Sequence, residues 1–588
     1  MKKWNVLNKL KVQSENLKIE DLINLLLDNR GIKTAKESEA FLHPKLEDFT
    51  PKAVGIDLKQ LKKALARIQK AIAEKEQIVV FGDYDVDGIT GSAILWETIH
   101  KLGGVVLPYI PHRVEEGYGL SVKGISNVME KILRLLSVAQ DDKGGLIITT
   151  DNGIVANEAV DFANKNNIDV IITDHHTPPD GEGVKLPAAY AIVHTTKLCG
   201  AGVAYLLSKE IKNVITSKAK QSQEKEIATS PLAPRYDAED DIHLELATLG
   251  TVADLVPLTG ANRAIVKEGL KILPKTKRLG LQALYKQAGI QKEIFDPYEI
   301  GFIIGPRLNA SGRIESAMDS LRLLCTTNRA RAEELAAKLE LVNKERQQLL
   351  KEAKEDAILR IKNQELRIKN LLIISSEDYA EGIIGLVAGK LVEEFYRPAI
   401  VISKREKHSK ASVRSVSGFN IIEFLRLHTE HFVNVGGHPM AAGFTVETEK
   451  LELLKDILET KAEEILTEEI LTRSLRIDCE IPLSAITSDV YKSLQQLSPF
   501  GMGNPEPVFA TKNVTIDDFR IMGKDGSHLR LNLSQGQYKL EAVGFGMGEF
   551  AAELKFGDEI DVAYTIDENV WRGNTKLQLK VKDIKLSN

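Results

Sequence analysis

The sequence predicts an α/β protein: a parallel-sheet domain, then a long connecting helix, a second and smaller α/β unit, and an all-β C-terminal end. Three observations carry this expectation. The runs IVVFGDYD, GLIITTDNG and DVIITDHH each end in a polar or glycine-containing turn and are separated by helical segments. Strands alternating with helices in this way feed a parallel, doubly wound sheet. Residues 328–363 place apolar side chains at three- and four-residue spacing in a highly charged background, enough for about ten helical turns. From residue 474 onward the texture is β-rich.

Taken in chain order, residues 1–75 show helical periodicity (KIEDLINLLLDNRGI, ALARIQKAIAEKE) and are expected to form an N-terminal helical segment. The parallel-sheet domain is expected over 76–325. Within it, 216–241 is polar and poor in large apolar groups, which predicts an exposed insertion. Helical pattern dominates 243–290. The connecting helix is placed at 326–369 and the smaller α/β unit at 370–470, with strands at LLIISSED and RPAIVIS around a helix through GIIGLVAGKLVEEF. Residues 471–588 hold the runs VTIDDFRI, HLRLNLS, YKLEAVGFG, EIDVAYTI and TKLQLKVKDI with a short helix near EFAAEL, the make-up of an OB-type barrel.

With 588 residues the chain is too long for one ordinary core, which agrees with several domains. Its 78 basic and 83 acidic residues give a net charge of −5, which argues against coating nucleic acid through general positive charge. A local basic channel beside metal-binding carboxylates is compatible with that balance. The three cysteines, Cys199, Cys325 and Cys479, are far apart and lack C-x-x-C spacing, so they read as core residues. No stretch approaches the roughly 20 apolar residues of a membrane span, and the first residues lack the apolar run of a secretory signal. A cytoplasmic protein without membrane partners is the expectation.

The chemistry lies where the acids lie. Asp83, Asp85 and Asp87 follow IVVF, Asp151 follows LIITT, and Asp174-His175-His176 closes DVIIT. In a parallel α/β sheet ligands bind just beyond the carboxyl ends of the strands. Three strand tails would therefore deliver carboxylates and imidazoles to one edge, and Asp254 in LGTVADLVPL could complete the set. A single D-x-D or DNG is usually turn chemistry; their recurrence at the same place on successive strands is what favours a site. Oxygen ligands with a few imidazoles suit Mn²⁺ or Mg²⁺, and clustered carboxylates repel one another unless divalent cations neutralise them. Two such cations can activate water and hold the leaving oxygen of a phosphoryl group.

GDYDVDGITGS, TTDNGI, ITDHHTPP and GTVADLVPL resemble the four ordered motifs of the DHH phosphoesterase superfamily, and VGGHPMAAGF resembles the glycine-rich motif of its DHHA1 domain. YIPHRVEEGYGLS, IGPRLNASGRIESA and LSPFGMGNPEPVF narrow the resemblance to RecJ-type single-strand-specific exonucleases, over residues 40–588. The chain departs from that pattern after AAYAIVHT, where an Asn-Pro pair is absent, and at the 216–241 insertion.

The resemblance implies a dinuclear Mn²⁺ or Mg²⁺ site built from Asp83, Asp85, Asp87, Asp151, His175 and Asp254. His176 would face the scissile phosphate, supporting a ligand or moving a proton, and Asp151 and Arg307 would share in catalysis. It further implies 5′-to-3′ release of mononucleotides from single-stranded DNA in repair and recombination, alongside a helicase and a single-strand-binding protein. For the substrate, Arg307, Asn309, Ser311 and Arg313 in GPRLNASGR offer forked donors and small polar groups to phosphate. Arg113 and Tyr118 are weaker candidates. Gly436, Gly437 and His438 would let backbone N–H groups approach an anion, with Arg414 and Ser375 completing a clamp for the strand end. The rivals are a DHH enzyme acting on pyrophosphate, oligoribonucleotides or cyclic dinucleotides, and a non-catalytic DNA-binding scaffold. The presence of every expected ligand argues against the scaffold.

Overall fold

The computed structural model describes residues 2–8, 18–113, 115–117, 119–135, 145–178, 185–223, 243–364, 369–571 and 574–586. The chain forms two compact units, one of residues 43–349 with 501–503, the other of residues 1–42, 350–500 and 504–588. The helix Arg329–Gln364 starts in the first and ends in the second. Among the described residues no helix is long and apolar enough to cross a membrane.

The first unit is built on a five-stranded sheet, in spatial order Val105–Tyr109, Gln77–Phe81, Leu146–Thr149, Asp169–Asp174, Ala191–His194. Every neighbouring pair is parallel. Both faces are covered, because alternate residues of each strand enter two different cores. Ile78, Val80, Ile148 and Ile171 pack with the helices Leu58–Ala73, Val86–Lys101, Gly200–Gln223 and Leu244–Ala253. Val79, Phe81, Ile147 and Ile172 pack with Val122–Leu135 and Asn157–Lys165. This two-sided burial is why the strands read as unbroken apolar runs. The first strand in sequence lies second in space, so the direction of winding reverses between Gln77–Phe81 and Leu146–Thr149. Ligand crevices open at such a reversal.

The other unit contains a mixed five-stranded sheet in the order Asn434–His438, Ala441–Glu447, His408–Arg414, Ala399–Ser403, Leu372–Ser376. Its barrel runs through Phe509–Met522, His528–Gln535, Tyr538–Gly544, Asn574–Leu586 and Glu559–Trp571, closed by pairing of the first with the last. The short helix Gly548–Ala552 stands where EFAAEL placed one.

Residues 1–75 do not act as one helical segment. Lys3–Val6 is a strand, paired in parallel with Ser474–Ile477, and the helix Ile19–Asp28 buries Leu22, Leu26 and Leu27 in the barrel's core. Helix Leu58–Ala73 buries Leu61, Ala64 and Ile68 beside the parallel sheet. Periodicity marks a helix's apolar stripe without saying which core receives it, and four residues are too few to show a strand's alternation. The expected loop at 216–241 is also displaced: helix Gly200–Gln223 continues through its first residues, and 224–241 lie outside the described residues.

The helix Val86–Lys101 is buried along nearly its whole length and carries one carboxylate into the core. Glu97 receives both Arg278 nitrogens, at 2.6 and 2.9 Å, and faces His243 Nε2 at 3.2 Å. Burial alone would raise its pKa, but the bonds to Arg278 and His243 pull it down to about 2. A depressed carboxylate stabilises the fold above its unfolded value, and that stability is lost as pH falls toward the folded one. Glu97→Gln is therefore expected to cost about 3 kcal/mol near neutral pH. In urea denaturation the gap between the two chains should narrow below about pH 4.5; a gap independent of pH would contradict the assignment.

Candidate metal centre and phosphate-binding groups

Three strand ends supply the site. After Gln77–Phe81 the chain turns, and Asp85 caps the next helix by accepting from Asp87 N and Gly88 N at 3.0 and 3.1 Å. That cap aims Asp83 and Asp87 inward, where both are 1% exposed. Asp151 follows Leu146–Thr149 with φ +64°, a left-handed backbone that costs a non-glycine residue energy and is characteristic of functional turns. Asn152 holds that turn, donating to Phe81 O and Thr150 O at 3.3 and 2.8 Å. Asp174 ends its strand and accepts from the backbone N–H groups of His175, His176 and Ile154. Asp254 stands at the C-terminus of helix Leu244–Ala253.

These groups meet. His175 Nε2 lies 3.0 Å from Asp151 Oδ1 and 3.7 Å from both Asp87 Oδ2 and Asp254 Oδ2. Three ligand-like sets result, each with donor atoms within 4.8 Å of one another: Asp83, Asp85 and Asp151; Asp87, His175 and Asp254; and Asp151, His175 and His176. Asp151 and His175 each belong to two of them. The spacing of the aspartates in DYDVD is thereby resolved into two sides of one centre, Asp83 with Asp85 on one and Asp87 on the other.

The electrostatics call for cations. Burial, then the charge of Asp85, raises Asp83 well above the usual carboxylate range. Burial and then Asp87, Asp85, Asp83 and Asp254 do the same to Asp151, and Asp254 is pushed up to about 9 by burial, Asp87 and Asp85. Asp83 Oδ1, His175 Nε2 and Asp254 Oδ2 are buried and make no hydrogen bond. Burial lowers the pKa of His175, which keeps its imidazole neutral and able to donate a lone pair. Orphaned oxygens and a neutral imidazole around one small space fit hard divalent ions.

Asp174, though part of the DHH run, is not in these sets. Its Oδ1 holds His176 Nδ1 at 2.8 Å, which fixes the orientation of that ring. Burial opposes protonation of His176, yet the Asp174 contact raises its pKa overall. Sequence reasoning also missed Gly200. Asp87 accepts from Gly200 N and Ala201 N at 2.6 and 2.8 Å, and a Cβ on Gly200 would lie 2.5 Å from Asp151 Cβ. The signal was the Gly-Ala-Gly that opens the helix after Ala191–His194.

The residues expected to bind substrate divide. Arg313 contributes favourably to the charge of Asp85. Arg113 lies 4.9 Å over the Tyr84 ring and favours the ionised form of Asp83. Arg307 is half-engaged, its Nε bonded to Glu340 at 2.7 Å and its Nη1 to Ile303 O at 2.8 Å. Asn309 Oδ1 accepts from Val86 N at 3.0 Å and so supports the metal-binding turn. Ser311 is 1% exposed, with its hydroxyl bonded to Leu308 O and Ser320. Ser311 is thus turned inward and its hydroxyl is engaged within the protein, whereas Asn309, half-buried, has its amide oxygen committed to the turn. Tyr118 lies outside the described residues.

In the second sheet, Gly436, Gly437 and His438 are an exposed edge strand rather than a turn, paired with Ala441–Glu447. An edge strand still offers N–H groups on its unpaired side. His438 pairs with Ala441 and Ala441 with Arg414, so these three share one face. Ser375 does not join them. It is aligned with Ile402 and Ala411, three residues from Arg414 and thus on the opposite face, where it accepts from Lys455 Nζ at 3.0 Å.

Three family models match the chain: the DHH family N-terminal domain over residues 77–233, the DHHA1 domain over 369–464 and the RecJ OB domain over 477–583. The single-stranded-DNA-specific exonuclease RecJ of Bacillus subtilis (strain 168) is 35% identical over 99% of this chain and 70% of its own length. That of Thermus thermophilus is 31% identical over 92% of this chain and 73% of its own. The crystal structure of the Thermus RecJ with Mn²⁺ matches with a TM-score of 0.78 at 27% identity, covering 100% of this chain and 80% of that one. A second exonuclease RecJ structure bound to manganese matches with a TM-score of 0.54 at 32% identity, covering 70% of this chain and 96% of that one.

Metal-free, Asp151→Asn removes one charge from the cluster and places at φ +64° a residue that tolerates left-handed backbone. In EDTA its melting temperature should exceed that of the unsubstituted chain. Manganese at a hundredfold excess over its Kd stabilises a site by about 2.7 kcal/mol, so it should raise the melting temperature of the unsubstituted chain by a few degrees and that of the variant by less, since Asp87, His175 and Asp254 remain. An equal response from both would rule out Asp151 as a ligand.

Proposed function

The chain belongs to the RecJ family of single-stranded-DNA-specific exonucleases, and on that premise we propose how its residues divide the work. It is a metal-dependent exonuclease acting on single-stranded DNA, served by manganese or magnesium. The observation that carries the division of labour is the meeting of Asp151 and His175 between two carboxylate groups.

Asp83, Asp85 and Asp151 hold one cation, and Asp87, His175 and Asp254 the other. When bound, such ions supply the Lewis acidity that acidifies water and offsets charge on phosphoryl oxygens. The protein's own groups do the rest. Asp174 orients His176 through Nδ1 and favours its protonated form, which suits the ring to donate to the scissile phosphate. Arg113 and Arg313, beside Asp83 and Asp85, offset charge that develops on the phosphate. Burial of the centre excludes bulk water and strengthens each of these interactions.

The reading extends to 5′-to-3′ polarity with release of mononucleotides. Arg414 and His438, on one face of the second sheet, bind phosphate of the strand, and the barrel holds single-stranded DNA. The setting is the cytoplasm, in DNA repair and recombination, where a helicase and a single-strand-binding protein present the strand.

Digestion of single-stranded DNA labelled at either end, in Mn²⁺, Mg²⁺ or EDTA, tests it. The 5′ label should appear at once as mononucleotide with either metal, the 3′ label only at the end of the reaction, and neither in EDTA. Asp151→Ala should abolish cleavage while DNA binding stays within about threefold, about 0.6 kcal/mol. Undiminished hydrolysis by that variant, or preference for a dinucleotide over the long strand, would overturn the proposal.

A further inference from the structure

On the helix Arg329–Gln364, Glu340, Asn343 and Arg346 recur at three-residue spacing and so lie along one side. Glu340 is already taken, by Arg307 Nε at 2.7 Å and Lys344 Nζ at 3.6 Å. Arg346 is only 8% exposed. Its Nε and Nη2 both donate to a single neutral acceptor, Asn343 Oδ1, at 3.3 and 2.9 Å. Asn343, 1% exposed, thereby serves to orient the guanidinium. Among the described residues no carboxylate pairs with Arg346, and the charge that acts on it is a like one, Arg307.

Three cations thus stand against one carboxylate. A guanidinium is a planar fork of five N–H donors, and one withdrawn from water beside another cation is costly unless an anion completes it. Among the described residues the fold provides no such anion. The helix Gly305–Ile314, which carries Arg307, also carries Asn309 and Gly312. The first bonds to Val86 N, and the second lies so close to Tyr84 that a Cβ there would be 2.3 Å from its carbonyl oxygen. The cluster is therefore braced against the metal-binding turn.

We infer that Arg346, oriented by Asn343 and acting with Arg307, binds an internucleotide phosphate of the DNA strand next to the scissile one. This rests on the exonuclease reading above. The contact is blind to base identity and adds a point of grip that a mononucleotide cannot use.

The test compares Arg346→Met and Arg346→Lys with the unsubstituted chain. Binding of fluorescent oligo-dT and of a mixed-sequence oligonucleotide is followed by anisotropy in EDTA over a range of salt. Losing one charge-assisted contact to phosphate should weaken binding by Arg346→Met about tenfold. The factor should be the same for both sequences, and the slope of log K against log salt should fall by about 0.7. Arg346→Lys should keep the slope and lose part of the affinity. Since the methionine removes an uncompensated buried charge, its melting temperature should equal or exceed that of the unsubstituted chain. Unchanged affinity and slope, or a lowered melting temperature with an unchanged slope, would overturn the inference, the latter making Arg346 a structural group. Binding is read without metal, so an unsubstituted chain that cleaves nothing would defeat the exonuclease reading separately.

Discussion

Mutual repulsion among buried carboxylates is the constraint on which the first unit's architecture turns. Asp83, Asp85, Asp87, Asp151, Asp174 and Asp254 come from three strand ends and a helix end, and five of them are gathered around His175 and its neighbours. The fold neutralises some of them with its own amides. Asp85, Asp87 and Asp174 each accept two or more backbone N–H groups, placing negative charge where helix and turn dipoles favour it. Asp83 and Asp254 each keep a buried oxygen with no hydrogen bond. The amide-bound oxygens build the scaffold, and the unbonded oxygens create the demand for cations. A site made only of the first kind would be a set of helix caps; one made only of the second would not fold.

Close approach is the other half of that arrangement. The Asp87 carboxylate reaches the amides of residues 200 and 201 because Gly200 packs against Asp151 without a side chain between them. Gly312 does the same for the helix that carries Arg307 and Asn309, seating it on Tyr84 within the metal-binding turn. The acidic cluster and the helix carrying Arg307 are thus held in register by backbone contact, which is stiffer than contact through long side chains.

Much of this was legible in the sequence because it depends on strand ends. Apolar runs buried on both faces, each closed by Asp or His, announce a parallel sheet with ligands at its carboxyl edge, and position along a strand is a matter of counting. What could not be counted was helix orientation. Asn309 and Ser311 share a motif with Arg307 and Arg313, yet the helix turns them toward Val86 and Ser320. Ser375 failed for a related reason: strand faces alternate, and the face it shares with Ala411 is set by register across three strands, which composition does not encode. Residues 1–75 divide between two cores because an apolar stripe carries no address. Arg346 was invisible, since an arginine in a charged helix reads as solvated until its burial is known.

The overall charge of −5 is a poor guide to a protein that handles a polyanion. At physiological ionic strength charges more than about 8 Å apart are largely screened, so the strand responds to what lies within one or two nucleotides of it. There the balance is inverted. Arg113 and Arg313 flank the acids of the catalytic turn, and Arg307, Lys344 and Arg346 outnumber Glu340. The acids do not repel the substrate once divalent ions cover them, whereas the arginines are always charged. Metal loading therefore converts the centre from one that repels phosphate to one that attracts it, while the surrounding cations are constant. On the proposed assignment, affinity for the strand away from the centre and reactivity at it are carried by different residues. For that reason a charge can be removed from one and leave the other intact.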